Sequence, residues 1–214
     1  KLVKYDYEYG FDSAGTKGAF YHYLDPGNTY KGAYSKNING YWYSSSQKNN
    51  WDTSNLNTNN LNTSFLNSLG TWSDYIVSVS WKIGGINGAD LKNSNISNIY
   101  QNEVINSTNT VNAKVGLIYA SDYAYAVDRS ALNNSLSDYN LNTSLNWMYM
   151  GMLEWTISKA SNTTNKVLAI DPKGNVYDKP LPSYSAVRPS FYISNSIKFK
   201  SGIGSKNDPI RIAR

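Results

Sequence analysis

The run KVLAIDPKGNVYDKP, from Lys166 to Pro180, leaves its backbone few choices. Two apolar, β-prone pieces flank Asp171-Pro172-Lys173-Gly174-Asn175. There Pro172 fixes one backbone dihedral and Gly174 frees another, so the chain reverses and the pieces pair antiparallel. The surrounding sequence extends the pattern. WMYMGMLEWTIS, starting at Trp147, precedes the pair as a strand, and SAVRPSFYISNSIKF, ending at Phe199, follows it with Val-Arg-Pro on the last strand.

Upstream, Val3, Tyr5, Tyr7 and Tyr9 alternate with Lys4, Asp6 and Glu8, a half-buried strand ending at Gly10. Residues 11–40 read as irregular, with short strands and an Asp25-Pro26-Gly27-Asn28 turn. In DYIVSVSWKI, residues 74–83, Val77, Val79, Trp81 and Ile83 share one face of a strand that Gly84-Gly85 ends. IYQNEVI at 99–105 reads as a further strand, and 111–127 as one or two more. The Ser/Asn/Thr tract 44–64 has the composition of a linker. Yet Trp51, Leu56, Leu61, Phe65, Leu66 and Leu69 recur at helical spacings, which predicts a capping turn and a helix over 59–69 closed by Gly70. Residues 128–146 form a loop long enough to suspect a binding role.

Composition excludes several chemistries. Without Cys there is no disulfide framework and no thiolate zinc site, and His22 alone cannot build a multi-imidazole metal centre. Charged residues are only 16%, and polarity comes instead from Ser, Thr and 29 Asn. With 19 Tyr and six Trp, this is the balance of an extracellular module rather than a cytosolic enzyme. The net charge of +5 is spread without a basic run, so nucleic acid is not an expected partner. No stretch approaches the ~18 apolar residues of a membrane span, and a start at Lys1 suggests a processed ectodomain.

WMYMG…EWTIS, the hairpin and VRPSFYI together resemble the closing half of the C-type-lectin-like fold, in its formylglycine-generating-enzyme-like and phage-tropism-type variant. With WKIGG, VGLIYASDYAYA and GIGSKNDPI in the same order, residues 41–212 resemble exported surface or pilin-like proteins of Firmicutes and related gut bacteria. The resemblance implies an α+β domain over 41–214, with a twisted antiparallel sheet, one or two helices and long loops, and an N-terminal strand and extension over 1–40. It carries the scaffold and not the catalysis. The enzyme branches need cysteine thiols or several His, and the calcium-dependent sugar binders use Glu-Pro-Asn or Gln-Pro-Asp loops that are absent here.

The expected function is therefore non-enzymatic recognition or adhesion at the bacterial surface. A protein or glycan ligand is expected, without metal or cofactor, and without membrane contact by this segment. The alternatives are the head of a type IV pilin-like filament subunit, whose partners are neighbouring copies, and a carbohydrate-active enzyme. Candidate ligand-binding residues are Trp42, Trp51, Asp138, Tyr139, Tyr177, Asp178 and Tyr184, aromatics and acids set in polar loops where rigid rings and short polar groups make adaptable binding surfaces. Trp81, Trp147, Glu154, Trp155 and Arg188 are structural. Glu154, an acid in an apolar run, is a catalytic suspect on that ground, but it is expected to start a strand and pair with Arg188. Asp122 reads as a turn former taking backbone N–H groups. A calcium site at Asp122 and Asp128 lacks the spaced Asp-x-Asp-x-Asp string.

Overall fold

The computed structural model describes residues 48–213, except 129, 131, 133–134, 150, 152, 182–184 and 205–206, together with four two-residue strands upstream. Those upstream strands pair as Gly10–Phe11 with Lys17–Gly18 and Tyr23–Leu24 with Tyr30–Lys31. The expected 1–10 strand, apart from Gly10, and the 25–28 turn lie outside the described residues.

A four-stranded sheet forms the centre, in the order Val176–Pro180, Lys166–Ile170, Glu154–Ala160, Gly85–Ile86. The first three strands are antiparallel neighbours, and Gly85–Ile86 joins parallel. The Pro-Lys-Gly-Asn reversal is present. Asp171 Oδ1 accepts from the N–H groups of Lys173 and Asn175 at 2.8 and 2.9 Å, and Gly174 takes a φ of +95°, which glycine tolerates best. Only the end of WMYMGMLEWTIS is strand, because pairing begins at Glu154. Trp147, expected in the core, is 53% exposed. It sits in the turn before Glu154, where strand alternation does not govern which way a side chain faces.

Both faces of the central sheet are covered, which explains its strands' nearly unbroken burial. Trp155, Ile157, Val167 and Ala169 pack with Trp51, Leu56, Leu61, Trp81 and Leu117. Ala160, Leu168, Ile170 and Val176 pack on the other side with Ile96, Ile99, Tyr123, Leu136 and Tyr139. Two smaller sheets lie beyond. Ser190–Ile193 pairs antiparallel with Ile76–Val77 and Val115–Gly116, and Val79–Lys82 pairs with Thr110–Ala113. The architecture is α+β.

Helices occur where apolar spacing meets a cap. The polar tract forms a wide helix, Leu56–Phe65, that runs on as Leu66–Ser68. Its entry is the expected capping turn: Ser54 Oγ accepts the Asn57 N–H at 3.1 Å. Asparagine amides lock the tract in place. Asn62 Oδ1 accepts from the Lys114 and Val115 N–H groups, and its amide donates to the Val115 carbonyl at 2.8 Å. The amide of Asn49 donates to the carbonyls of Ala160, Thr163 and Lys166.

Two element expectations are corrected, and residues 111–127, which hold the expected strands as Thr110–Ala113 and Val115–Gly116, gain a helix. IYQNEVI is helical, Ile96–Tyr100 continuing as Gln101–Ile105. Asn95 caps it, and Ile96, Ile99 and Glu103 are buried at helical spacing. The second half of 111–127 is also a helix, Ala120–Tyr125. Asp122 does take a backbone N–H as expected, that of Tyr119 at 3.0 Å, but it closes a helix rather than a turn. In 74–83, Val77 is exposed while Ile76, Trp81 and Ile83 are buried. The strand breaks at Ser78 and changes partner there, which resets the alternation.

Candidate functional site

Of the expected ligand-binding residues, Trp42 and Tyr184 lie outside the described residues. Trp51 and Tyr139 are fully buried and cannot offer their rings to a ligand. Trp51 fills the core beneath the wide helix. Tyr139 packs at a tilt on Tyr123 and donates its hydroxyl to the Ala124 carbonyl, which closes the 128–146 loop onto the helix Ala120–Tyr125. Asp138 is exposed beside Ser135, 3.3 Å from its hydroxyl. Tyr177 and Asp178 are half-buried on adjacent positions of one strand and so face opposite ways. Tyr177 packs on the Trp155 core, and Asp178 pairs with Lys166 at 2.7 Å. The described candidates do not converge on one site.

The structural residues behave differently. Glu154 and Arg188 form the expected pair: Nε lies 2.6 Å from Oε1, and Nη2 donates to Oε2 at 2.7 Å and to the Met148 carbonyl at 2.8 Å. Both are buried. Burial raises the Glu154 carboxyl from its ordinary range, and the adjacent guanidinium opposes that. The arrangement ties the central sheet to the turn before it and to the entry of Ser190–Ile193; Val-Arg-Pro, expected on the last strand, precedes this one instead, and two strands follow it among the described residues.

Side chains do converge at an open groove of about 300 Å³ between the small sheets and the two capped helices. Its lining is aromatic: Trp81, Tyr100, Tyr119, Phe191 and Tyr192, with Asp122 and Ser190 as polar members. Trp81 is the floor. Gly116 lets the ring sit close, since a Cβ there would lie 2.8 Å from it, and the indole N–H is held by the Ala113 carbonyl at 3.1 Å. The Trp81 ring centroid lies 5.9 Å from that of Tyr192 and 6.4 Å from that of Tyr119. Tyr119 donates its hydroxyl to the Lys82 carbonyl, and burial holds that phenol in its neutral form. Phe191 and Tyr192 form the exposed rim.

Behind the groove, Glu103 is buried and forms no ion pair among the described residues. Oε2 accepts the Ser121 N–H at 3.0 Å, while Oε1 and the Ser121 hydroxyl have no hydrogen-bond partner among the described residues. Burial pushes this carboxyl up to about 7. No group of three metal-ligating side chains occurs among the described residues.

The groove residues were not candidates on sequence. Phe191-Tyr192-Ile193 carried the signal, because three large apolar neighbours on one strand face both ways. All three are exposed here. Comparison with family models, with curated proteins and with solved structures returned no match.

Proposed function

We propose that the chain is a non-enzymatic recognition module displayed outside the cell on a bacterial surface, with a C-type-lectin-like closing half, and that it holds a glycan in the aromatic groove. The observation that carries this reading is the groove itself: five rings around about 300 Å³, two of them on an exposed rim, beside a carboxylate and a hydroxyl. Sugars present apolar ring faces and hydroxyl edges, and that mixture of aromatic and polar groups complements both. The lectin-like reading is supported by three consecutive antiparallel strands that follow a long loop. The two most buried acids, Glu103 and Glu154, are enclosed in the core and do not line the groove. The test is a glycan array probed with the wild-type chain and with Tyr192→Ala. Binding that the substitution removes is expected. An empty array, or equal binding by the variant, overturns the reading.

A second reading, a filament subunit, is favoured by the hairpin of Lys198–Ser201 and Arg211–Ala213. It carries exposed Phe199, Ile203, Ile210 and Ile212, and a two-stranded hairpin is marginal alone. Neighbouring copies of the chain would cover that face. Sedimentation of wild type and Phe199→Ser decides it: concentration-dependent assembly lost in the variant supports a filament, and monomers throughout exclude one.

A further inference from the structure

The groove's charge contrasts with that of the chain. The protein carries a net +5, yet no Lys or Arg among the described residues lines the groove. The lysines beside Trp81 and close to Gly116 in sequence are turned to other partners. Lys82 donates to the Ser107 carbonyl at 3.1 Å and Lys114 to the Ser73 carbonyl at 2.9 Å. What faces the space is a set of ring faces and one carboxylate. Aromatic faces are the negative lobes of a quadrupole and attract a cation placed over them. Asp122 lines this space and uses Oδ2 to accept the Tyr119 N–H. A groove for a neutral sugar needs rings and hydrogen-bond groups. It does not need a carboxylate in a lining to which no described Lys or Arg contributes.

We infer that the groove selects a cationic ligand: a glycan carrying free, protonated amines, an amino-sugar polymer that is not N-acetylated, with one ammonium seated between Asp122 and the rings of Tyr119 and Tyr192. This rests on the glycan reading above and narrows it to one charge class. A phosphate-bearing or acidic polysaccharide is excluded by the same chemistry, since its charge would meet ring faces and a carboxylate. The ammonium would donate to the Asp122 carboxylate while its remaining charge lies over the rings.

The experiment is calorimetric titration of the full chain with a glucosamine tetramer and with its fully N-acetylated counterpart. The free amine is expected to bind at least about tenfold more tightly. Asp122→Asn keeps the acceptor for the Tyr119 N–H and should remove that preference while leaving the melting temperature in place. Ser190→Lys, which sets an ammonium on the rim without touching the cap, should weaken the glucosamine tetramer by about tenfold or more. Asp52→Asn, away from the groove, should change nothing. Equal affinity for both tetramers, or a preference that survives both groove variants, overturns the charge class and leaves the glycan groove standing. No binding by either tetramer, or binding unchanged in Tyr192→Ala, removes the groove itself.

Discussion

The central sheet and the aromatic groove are built from the same residue types and put to opposite use. In the sheet, Trp155, Ile157, Val167 and Ala169 are covered on one face, Leu168, Ile170 and Val176 on the other, and the Glu154–Arg188 pair is sealed inside. In the groove, Phe191 and Tyr192 stand on a strand paired on both sides, and each leaves much of its ring in water. Backbone pairing alone therefore does not bury a strand. A second layer does, and only the central sheet has one on each face. A residue lost from the sheet should cost folding, and a residue lost from the rim should cost binding.

Arg188→Met is the strongest test of the closed side. It leaves Glu154 buried without its cation, and breaking such a pair costs about 3–5 kcal/mol. It also removes the donor to the Met148 carbonyl. Urea denaturation should register that loss. In the double variant Glu154→Met/Arg188→Met most of it should return, because no unpaired charge then remains inside. A single variant as stable as wild type would show that the pair is solvated and the sheet less closed than described.

Glu103 tests the boundary between the two regions, since it lies in the core but behind the groove. Folded, its carboxyl keeps a proton up to about pH 7, whereas an unfolded glutamate releases it near 4.5. The folded chain thus binds more protons between those values. Its stability is full below 4.5, falls as pH rises toward 7 and levels off above, a drop of about 3 kcal/mol from this group. Glu103→Gln preserves an acceptor for the Ser121 N–H and should abolish that slope. The check is the difference between wild-type and variant urea midpoints at pH 5 and pH 8. Identical pH profiles would mean that water reaches the carboxylate.

How much of this was legible depended on whether a local rule was left unopposed. The hairpin, the capping turn at Ser54, the Glu154–Arg188 pair and the core positions of Trp81 and Trp155 were readable because turn chemistry and alternation pointed one way. IYQNEVI was misread because β-branched residues suggested a strand, while the cap at Asn95 and the spacing of Ile96, Ile99 and Glu103 made a helix. Trp51 and Tyr139 looked like loop aromatics because polar neighbours surround them in sequence. In space, asparagine amides and a tyrosine hydroxyl satisfy the nearby backbone, and the rings go inward. The groove could not be read at all. It is assembled from Trp81, Tyr119 and Tyr192, three segments that two long-range pairings bring together, Val79–Lys82 with Thr110–Ala113 and Ser190–Ile193 with Ile76–Val77 and Val115–Gly116.

Gly116→Ala should produce an intermediate effect that touches both regions. The new methyl would lie 2.8 Å from the Trp81 ring, inside contact distance, so the ring must move. Overpacking of this kind costs about 1–3 kcal/mol. Because Trp81 is also the groove floor, ligand affinity should fall in the same variant. A variant that loses stability but keeps affinity would separate the floor from the site.

Tyr192→Ala should have the smallest effect on folding and a large one on binding. Its ring is 59% exposed, and truncating a surface residue away from caps and cavities changes stability within about 0.5 kcal/mol. Its backbone pairing with Val77 does not depend on the ring. The ring contributes instead to the groove wall, 5.9 Å from Trp81. Paired melting and titration measurements on this one variant state the contrast between the regions most directly. An unchanged melting temperature with lost affinity places the ring in the site. A melting temperature that falls as far as in Gly116→Ala would show that the rim is part of the core, and the division between closed sheet and open groove would not hold.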